Sequence, residues 1–168
     1  MDADQGKFIM TGRITMTQAT APTDAVRTLI GELDAVLSAE YPPEQRHGLS
    51  LDAIFAPHIR FFVAELDGAP VGCGGVALFG DFAEVKRMYV RDAARGQGVA
   101  QAVLARLEAE ARAAGLARLC LETGTVQHAA MRLYERAGFT VCGAFGDYLA
   151  KAPEALTTSV FYEKSLAR

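Results

Sequence analysis

The chain has 168 residues, a formal net charge of −3 and 51% hydrophobic residues. This length and composition favour one folded domain. The negative charge disfavours a nucleic acid or a membrane surface as partner, because proteins that bind these usually carry a basic field. No apolar run approaches the ~20 residues of a membrane span, and we find no secretory leader, so we expect a cytoplasmic protein.

The first third of the sequence predicts an extension, a strand and two helices. Residues 1–12 are small, polar and aperiodic, so we expect a loose N-terminal extension before a single domain over residues 13–168. Alternation over residues 13–18 predicts a strand. Apolar residues at helical spacing over 26–37 predict a helix that two prolines end. A short helix capped by a serine is expected over 50–55.

The remainder predicts a meander followed by alternating helices and strands. Turns at Asp67-Gly68 and Gly80-Asp81 separate three strand-like runs, which is typical of antiparallel hairpins. Gly115 and Gly138 each follow an amphipathic segment and are suitable helix ends. The strands are predicted over 60–66, 71–79, 82–90, 116–122, 139–142 and 157–163, and the helices over 99–114 and 127–137. This order predicts a single mixed α/β domain.

The cysteines and histidines predict neither a disulfide nor a metal site. The three cysteines are widely spaced in apolar runs, which predicts buried free thiols at Cys73, Cys120 and Cys142. The histidines fall in separate segments without metal-ligand spacing, at His47, His58 and His128. We therefore expect no metal cofactor.

The stretch Arg95-Gly96-Gln97-Gly98-Val99-Ala100 lies between a predicted strand and a predicted helix. Such a turn presents backbone N–H groups and the positive end of a helix dipole, a geometry that binds pyrophosphate. Nearby basic residues add positive charge: Lys86, Arg87, Arg91 and Arg95. The third glycine of a dinucleotide-binding fingerprint is absent, and so is the Gly-Lys-Ser/Thr of a P-loop. Both nucleotide-binding interpretations are therefore excluded.

Arg95-x-x-Gly98-x-Ala100 resembles the Q/R-x-x-G-x-G/A signature of the GNAT N-acetyltransferase superfamily. The segment from Gln127 to Phe139 is similar to the family's second signature, N-x-x-A-x-x-x-Y-E-x-x-G-F, with glutamine in the place of asparagine. The similarity extends over most of residues 13–164, in the family's element order. It implies a mixed, mostly antiparallel sheet of about six or seven strands flanked by about four helices. It also implies an N-acetyltransferase that uses acetyl-CoA.

The resemblance assigns cofactor contacts to two parts of the chain. The strand before the glycine loop would hydrogen-bond the pantetheine arm through the backbone of Met88, Tyr89 and Val90. Successive N–H groups of Arg95, Gly96, Gln97, Gly98, Val99 and Ala100 would hold the pyrophosphate. Gln127 and Ala130 of the second signature would also contact the cofactor. A solvated surface role for the Arg95 side chain remains the alternative.

The resemblance also implies catalytic and substrate-binding residues. Tyr134 matches the family tyrosine that protonates the departing thiolate, and packing on the inner helix face is its alternative role. Glu84 lies where some members carry a glutamate base, although an ordinary ion pair with Lys86 or Arg87 would explain it equally well. Candidate acceptor contacts are Arg87, Asp147 and Tyr148, with Arg60 as a further partner for an acceptor carboxylate. Glu122 is expected either beside the cofactor cleft or in solvent.

The predicted reaction is direct transfer of acetyl to a primary amine of a small molecule or amino acid, through a ternary complex. Two alternatives stay open: acetylation of proteins or peptides, which needs an open groove, and a non-catalytic acyl-CoA sensor. The composition does not decide between a monomer and a homodimer.

Overall fold

The computed structural model describes residues 12–167. Apart from Gly12, the predicted N-terminal extension lies outside the described residues. Within them the chain forms seven strands and three α-helices. In chain order these are β1 (Ile14–Ala19), α1 (Asp24–Glu40), β2 (Ile59–Leu66), β3 (Ala69–Leu78), β4 (Ala83–Val90), α2 (Val99–Ala113), β5 (Arg118–Gly124), α3 (His128–Arg136), β6 (Thr140–Cys142) and β7 (Ser159–Ser165).

The strands form one open sheet in the order β1-β2-β3-β4-β5-β7-β6. Only β4 and β5 pair in parallel; the other neighbours are antiparallel. This confirms the predicted mixed, mostly antiparallel sheet. The short helix expected over 50–55 is instead a 3₁₀ turn at Ala53–Phe55, where the N–H of Ala53 donates to Ser50 Oγ at 3.2 Å. The described chain therefore has three α-helices where about four were expected.

Local sequence signals explain where the elements begin and end. Thr23 caps α1, since its Oγ1 accepts the N–H of Val26 at 3.3 Å. At the β2–β3 turn, Asp67 and Gly68 have φ of 52° and 85°, the left-handed pair that suits a tight hairpin. Gly115 follows α2 with φ of 75° and ends that helix in the left-handed conformation.

Helices cover both faces of the sheet. On one face α2 and α3 pack over a core that includes Leu107, Leu119 and Tyr162. On the other face α1 packs over a second core that includes Leu29 and Phe61. A third cluster, around Cys120, Phe145, Tyr148 and Phe161, lies beside β5 and β7. The site described below lies where these three cores meet at the β4–β5 junction.

The three cysteines are free thiols. Cys73 and Cys120 are fully buried, as predicted, whereas Cys142 is only half-buried because β6 is a three-residue edge strand. None of the helices within residues 12–167 has the length and hydropathy of a membrane span.

Candidate active site

The glycine loop leaves the end of β4 and opens α2. Gly96 and Gly98 adopt φ of 77° and 82°, values that residues with a Cβ adopt only at a cost. A Cβ at either position would meet nothing within 4 Å, so the conformation rather than crowding requires glycine there. Gly98 is the N-cap residue of α2, and within residues 12–167 no side chain caps this end of the helix. The N–H groups of the first turn of α2 have no helical acceptor. The loop therefore fits an anionic group.

The basic side chains beside the loop are already paired. Arg95 is 60% exposed and contacts Asp92 at 3.0 Å. The other pairs are Lys86 with Glu84, Arg87 with Asp34, and Arg91 with Glu32. Positive charge at the loop is therefore balanced locally, and the backbone donors carry most of its capacity to hold a phosphate.

A β-bulge in β4 redirects its side chains. Cys73 pairs with Tyr89 and Gly75 with Lys86, so one additional residue of β4 lies between these pairs. Arg87 occupies the bulge with φ of 53°. Lys86 and Arg87 consequently both lie on the α1 side, and Met88 returns to the side of α2 and α3.

β4 and β5 separate after two paired residues. Ala83 pairs with Leu119 and Glu84 with Cys120, and beyond Glu84 the two strands diverge. A wedge therefore opens along the edge of β4 that carries Met88. Tyr134 lies beside this wedge, 7% exposed, with its hydroxyl 4.0 Å from Met88 Sδ. Burial and the nearby charge of Glu122 raise the pKa of Tyr134 well above its ordinary value, which keeps the phenol protonated.

A cavity of about 140 Å³ lies on the α1 side of the wedge. Its wall includes both carboxylates of the region, Glu84 and Glu122, together with Met88 and Tyr134. Glu84 is 4% exposed. Its Oε2 lies 2.7 Å from Lys86 Nζ and accepts the Tyr148 hydroxyl at 2.8 Å.

Comparison with known proteins identifies the family. Residues 28–139 match the sequence profile of the acetyltransferase (GNAT) family. The chain belongs to the GNAT acetyltransferase family. The IAA acetyltransferase of Azospirillum brasilense is 44% identical over 91% of this chain and 98% of its own length.

Solved structures agree with this assignment. A Klebsiella pneumoniae protein assigned as an acyl-CoA N-acyltransferase is 35% identical, covering 92% of this chain and 98% of that chain with a TM-score of 0.71. A GNAT acetyltransferase from Staphylococcus aureus, 16% identical, has a TM-score of 0.72 over 92% of this chain and 100% of that chain. This second likeness shows the fold alone.

Glu122 is the titratable group of this GNAT site that the sequence underrated. It lies on β5, two residues beyond the Glu84–Cys120 pair and therefore level with Lys86 on the neighbouring parallel strand. Burial and the nearby charge of Glu84 raise its pKa to about 7. A carboxyl group with a pKa near 7 accepts and releases a proton readily at physiological pH. The alternation of side chains between the two faces of β5 could have indicated that Glu122 faces the cavity.

The loop after α1 covers part of the GNAT cavity. Gln45 Nε2 donates to the carbonyl of Glu154 at 2.6 Å, and Thr158 Oγ1 donates to Gln45 Oε1 at 3.1 Å. His47 Nε2 lies 2.8 Å from the carbonyl of Ala155, and burial lowers its pKa. These contacts join residues 42–48, which we name the roof segment, to residues 154–158. The roof segment covers part of the cavity.

The remaining predicted residues divide between the wall and the surface. Gln127 and Ala130 line the cavity, and Gln127 Nε2 donates to Glu40. Asp147 is exposed and lies outside the lining, because the 3₁₀ turn at Gly146–Ala150 turns Tyr148 inward instead. Arg60 donates to the carbonyls of Pro57 and Ile59 and also lies outside it.

Sequence reasoning did not assign Tyr41 or Arg46, which also line the cavity. The Tyr41 hydroxyl accepts the N–H of Val126 at 3.1 Å and lies so close to Gly124 that a Cβ there would collide with it. Tyr41 thereby fastens the β5–α3 connection to the end of α1. The bulge that turns Arg87 inward has a signal in the sequence, since Lys86-Arg87 places two polar residues in a row and breaks the alternation of β4.

Proposed function

We propose that this protein transfers the acetyl group of acetyl-CoA directly to a primary amine of a small molecule. The observation that carries the proposal is the roofed cavity of about 140 Å³ that meets Met88 and Tyr134 at the β4–β5 wedge. A peptide acceptor needs an open groove, and the contacts of Gln45 and His47 with the segment over 154–158 narrow that space.

The donor would be held mainly by backbone groups. The first-turn N–H groups of α2 after Gly98 would bind the pyrophosphate. The free edge of β4 at Met88–Val90 would hydrogen-bond the pantetheine arm, with Gln127 and Ala130 on its other side. Acetyl-CoA supplies an activated thioester, and a backbone N–H near Met88 would stabilise negative charge on its carbonyl oxygen.

The attacking amine must lose a proton, and Glu122 accepts it in this proposal. The sequence predicted Glu84 for this role. The ammonium of Lys86 and the hydroxyl of Tyr148 both contact one oxygen of Glu84, so that oxygen is already engaged within the wall. Glu122 has a pKa of about 7, which suits a base at neutral pH. Glu84 then positions Lys86 and Tyr148 in the wall.

Tyr134 donates a proton to the departing sulfur. Its hydroxyl is buried beside Met88 and is protonated at neutral pH, as a phenol is even at its ordinary pKa of about 10. Burial raises this pKa further. Transfer from a phenol to a thiolate is uphill by about 2 kcal/mol at ordinary pKa values, and more here. Donation must therefore accompany departure of the thiolate rather than precede it.

Direct transfer agrees with the state of the cysteines. Burial raises the pKa of Cys73 and of Cys120 to about 12, so neither forms a thiolate at neutral pH. None of the three cysteines lines the cavity. An acetyl-cysteine intermediate is therefore not part of the proposal.

Thiol release from acetyl-CoA, measured over a panel of amines, amino acids, polyamines and aminoglycosides, tests the proposal. The panel includes IAA, because the Azospirillum relative is named for it. We expect turnover with at least one small amine and little with peptides. CoA binding without turnover on any amine would favour a sensor, and efficient peptide acetylation would overturn the small-molecule assignment.

Tyr134→Phe separates chemistry from binding in the same assay. We expect kcat to fall about 10²-fold with CoA affinity unchanged. The matched control is Tyr162→Phe, because that tyrosine packs against Tyr134 while its hydroxyl donates to Glu135 at 3.0 Å, away from the cavity. Equal kcat for Tyr134→Phe and the wild type would remove Tyr134 as the acid.

A further inference from the structure

Two arginines in the cavity wall carry buried donors that no described residue uses. The Arg87 side chain is 4% exposed, and its Nε has no hydrogen-bond partner among residues 12–167. The Nε of Arg46 is likewise buried without a partner in that part of the chain. A buried donor left unpaired costs about 1–3 kcal/mol. Both arginines also line the cavity, so the fold brings two guanidinium groups to one space.

The fold brings these two arginines to the cavity from different elements. Arg87 reaches the α1 side because of the β4 bulge, and the backbone at Gly48 packs so closely on its guanidinium that a Cβ there would collide with it. Arg46 comes from the roof segment, and its Nη1 donates to Ser38 Oγ at 2.7 Å. Roof and sheet thus each contribute one guanidinium.

Of the three lysine and arginine side chains in the cavity wall, only Arg46 has no carboxylate partner among residues 12–167. Lys86 is balanced by Glu84, and Arg87 contacts Asp34, whose own side chain is 55% exposed and therefore shared with solvent. Arg46 contacts only the neutral hydroxyl of Ser38 among the described residues. A guanidinium fork matches a carboxylate in charge and in planar geometry.

We propose that Arg46 and Arg87 bind a carboxylate of the acceptor, so that the substrate class is aminocarboxylates. This inference rests on the proposed N-acetyltransferase function and names its acceptor. Arg87 lies three residues beyond Glu84 along β4, in the bulge. Glu122 lies level with Lys86, between them. The arginines that would bind the carboxylate and Glu122, which would deprotonate the amine, therefore lie at different places along the cavity.

Matched acceptors test this inference on the wild-type protein. Each α- or ω-amino acid is compared with its amide and with the amine that lacks the carboxylate, by kcat/KM in the thiol-release assay. We expect a preference of about 10²-fold or more for the carboxylate form. Equal kcat/KM for acid and amide would overturn the carboxylate site while leaving the acetyltransferase function standing. Absence of turnover on every amine would overturn both.

Variants of Arg46 and Arg87 test whether these two side chains cause the preference for a carboxylate. Arg46→Gln and Arg87→Lys should each lower kcat/KM for the aminocarboxylate about 10²-fold through KM, with little change for its amide. Arg27→Gln is the control, since Arg27 is exposed on the first turn of α1 and donates to the Pro22 carbonyl. A loss that is equal for acid and amide would mean a structural role and would overturn the proposal. If Arg87→Lys does not fold, Arg46→Gln and the acceptor pairs still decide.

Discussion

The glycine loop and the acceptor cavity are built in opposite ways. The loop is six consecutive residues, Arg95 to Ala100. It offers backbone N–H donors, and two glycines in the left-handed conformation shape it. The cavity collects side chains from α1, the roof segment, β4, β5 and the 3₁₀ turn at Gly146–Ala150. The proposed donor site can be recognised from a local sequence pattern, whereas the proposed acceptor cavity forms only when distant elements pack together.

The two regions also differ in electrostatics. At the loop, charges are exposed and paired, as in the contact between Arg95 and Asp92, so each pair contributes little. In the cavity, Glu84 is buried and Glu122 is half-buried, and burial together with the charge of Glu84 raises the pKa of Glu122. Changes in the cavity should therefore alter catalysis and stability as functions of pH, and changes in the loop should alter affinity alone.

Glu122→Gln should have the largest effect. If Glu122 is the base, kcat/KM falls about 10²–10⁴-fold. The wild-type rate rises with pH through about 7 as Glu122 loses its proton, and this limb disappears in the variant. A second limb, from the amine itself, lies near ~10 and remains in both proteins. Steady-state kinetics from pH 5 to pH 10 measure both limbs.

Glu84→Gln is the comparison for that experiment. Since Lys86 and Tyr148 contact Glu84, the variant disturbs the wall, and its rate falls while the limb near pH 7 persists. Loss of the limb in Glu84→Gln and its persistence in Glu122→Gln would reverse the assignment of the base.

Stability should respond to Glu122 in the opposite direction from activity. The pKa of its carboxyl is about 7 in the folded protein against 4.5 ordinarily, so the folded state binds the proton more tightly and stability falls as pH rises from about 4.5 to 7. Well above pH 7 the penalty reaches about 3 kcal/mol. Urea unfolding should show Glu122→Gln to be more stable than wild type at pH 8 and nearly equal to it at pH 4.5. A difference independent of pH would contradict this.

Predictions from the sequence were accurate for locally encoded features and less accurate for the cavity. Strand alternation and glycine stops predicted the sheet and two of its helices closely, because those signals are local. The roles of the glycine loop and Tyr134 were also predicted from local patterns and stay predictions. The sequence did not place Arg46 in the wall, and Asp147, a predicted acceptor contact, is exposed outside the lining. Which residue of a turn faces a cavity depends on the packing of distant elements. The bulge at Arg87 decides which side chains of β4 reach the cavity.

Gly98→Val tests whether the donor site depends on backbone conformation. A β-branched residue at φ of 82° costs about 2 kcal/mol, and the N–H groups at the start of α2 move from their positions. We expect CoA affinity, measured by calorimetry, to fall about 10- to 100-fold, with the pH dependence of stability unchanged. Gly80→Val is the matched control, because Gly80 also lies in open space and does not have a left-handed φ. Wild-type affinity in Gly98→Val would refute a backbone cradle.

Gly31→Ala should have the smallest effect, and it is a gain. Gly31 lies inside α1, exposed, with nothing within 4 Å of a Cβ and an ordinary helical φ. Alanine there should raise the free energy of unfolding by about 0.5–1 kcal/mol in urea. Because α1 forms one wall of the cavity through its other face, kcat/KM should stay at the wild-type value if that wall is rigid. A fall in kcat/KM with a gain in stability would show that α1 must move to admit the acceptor, so that the cavity would depend on motion of a helix as well as on packing.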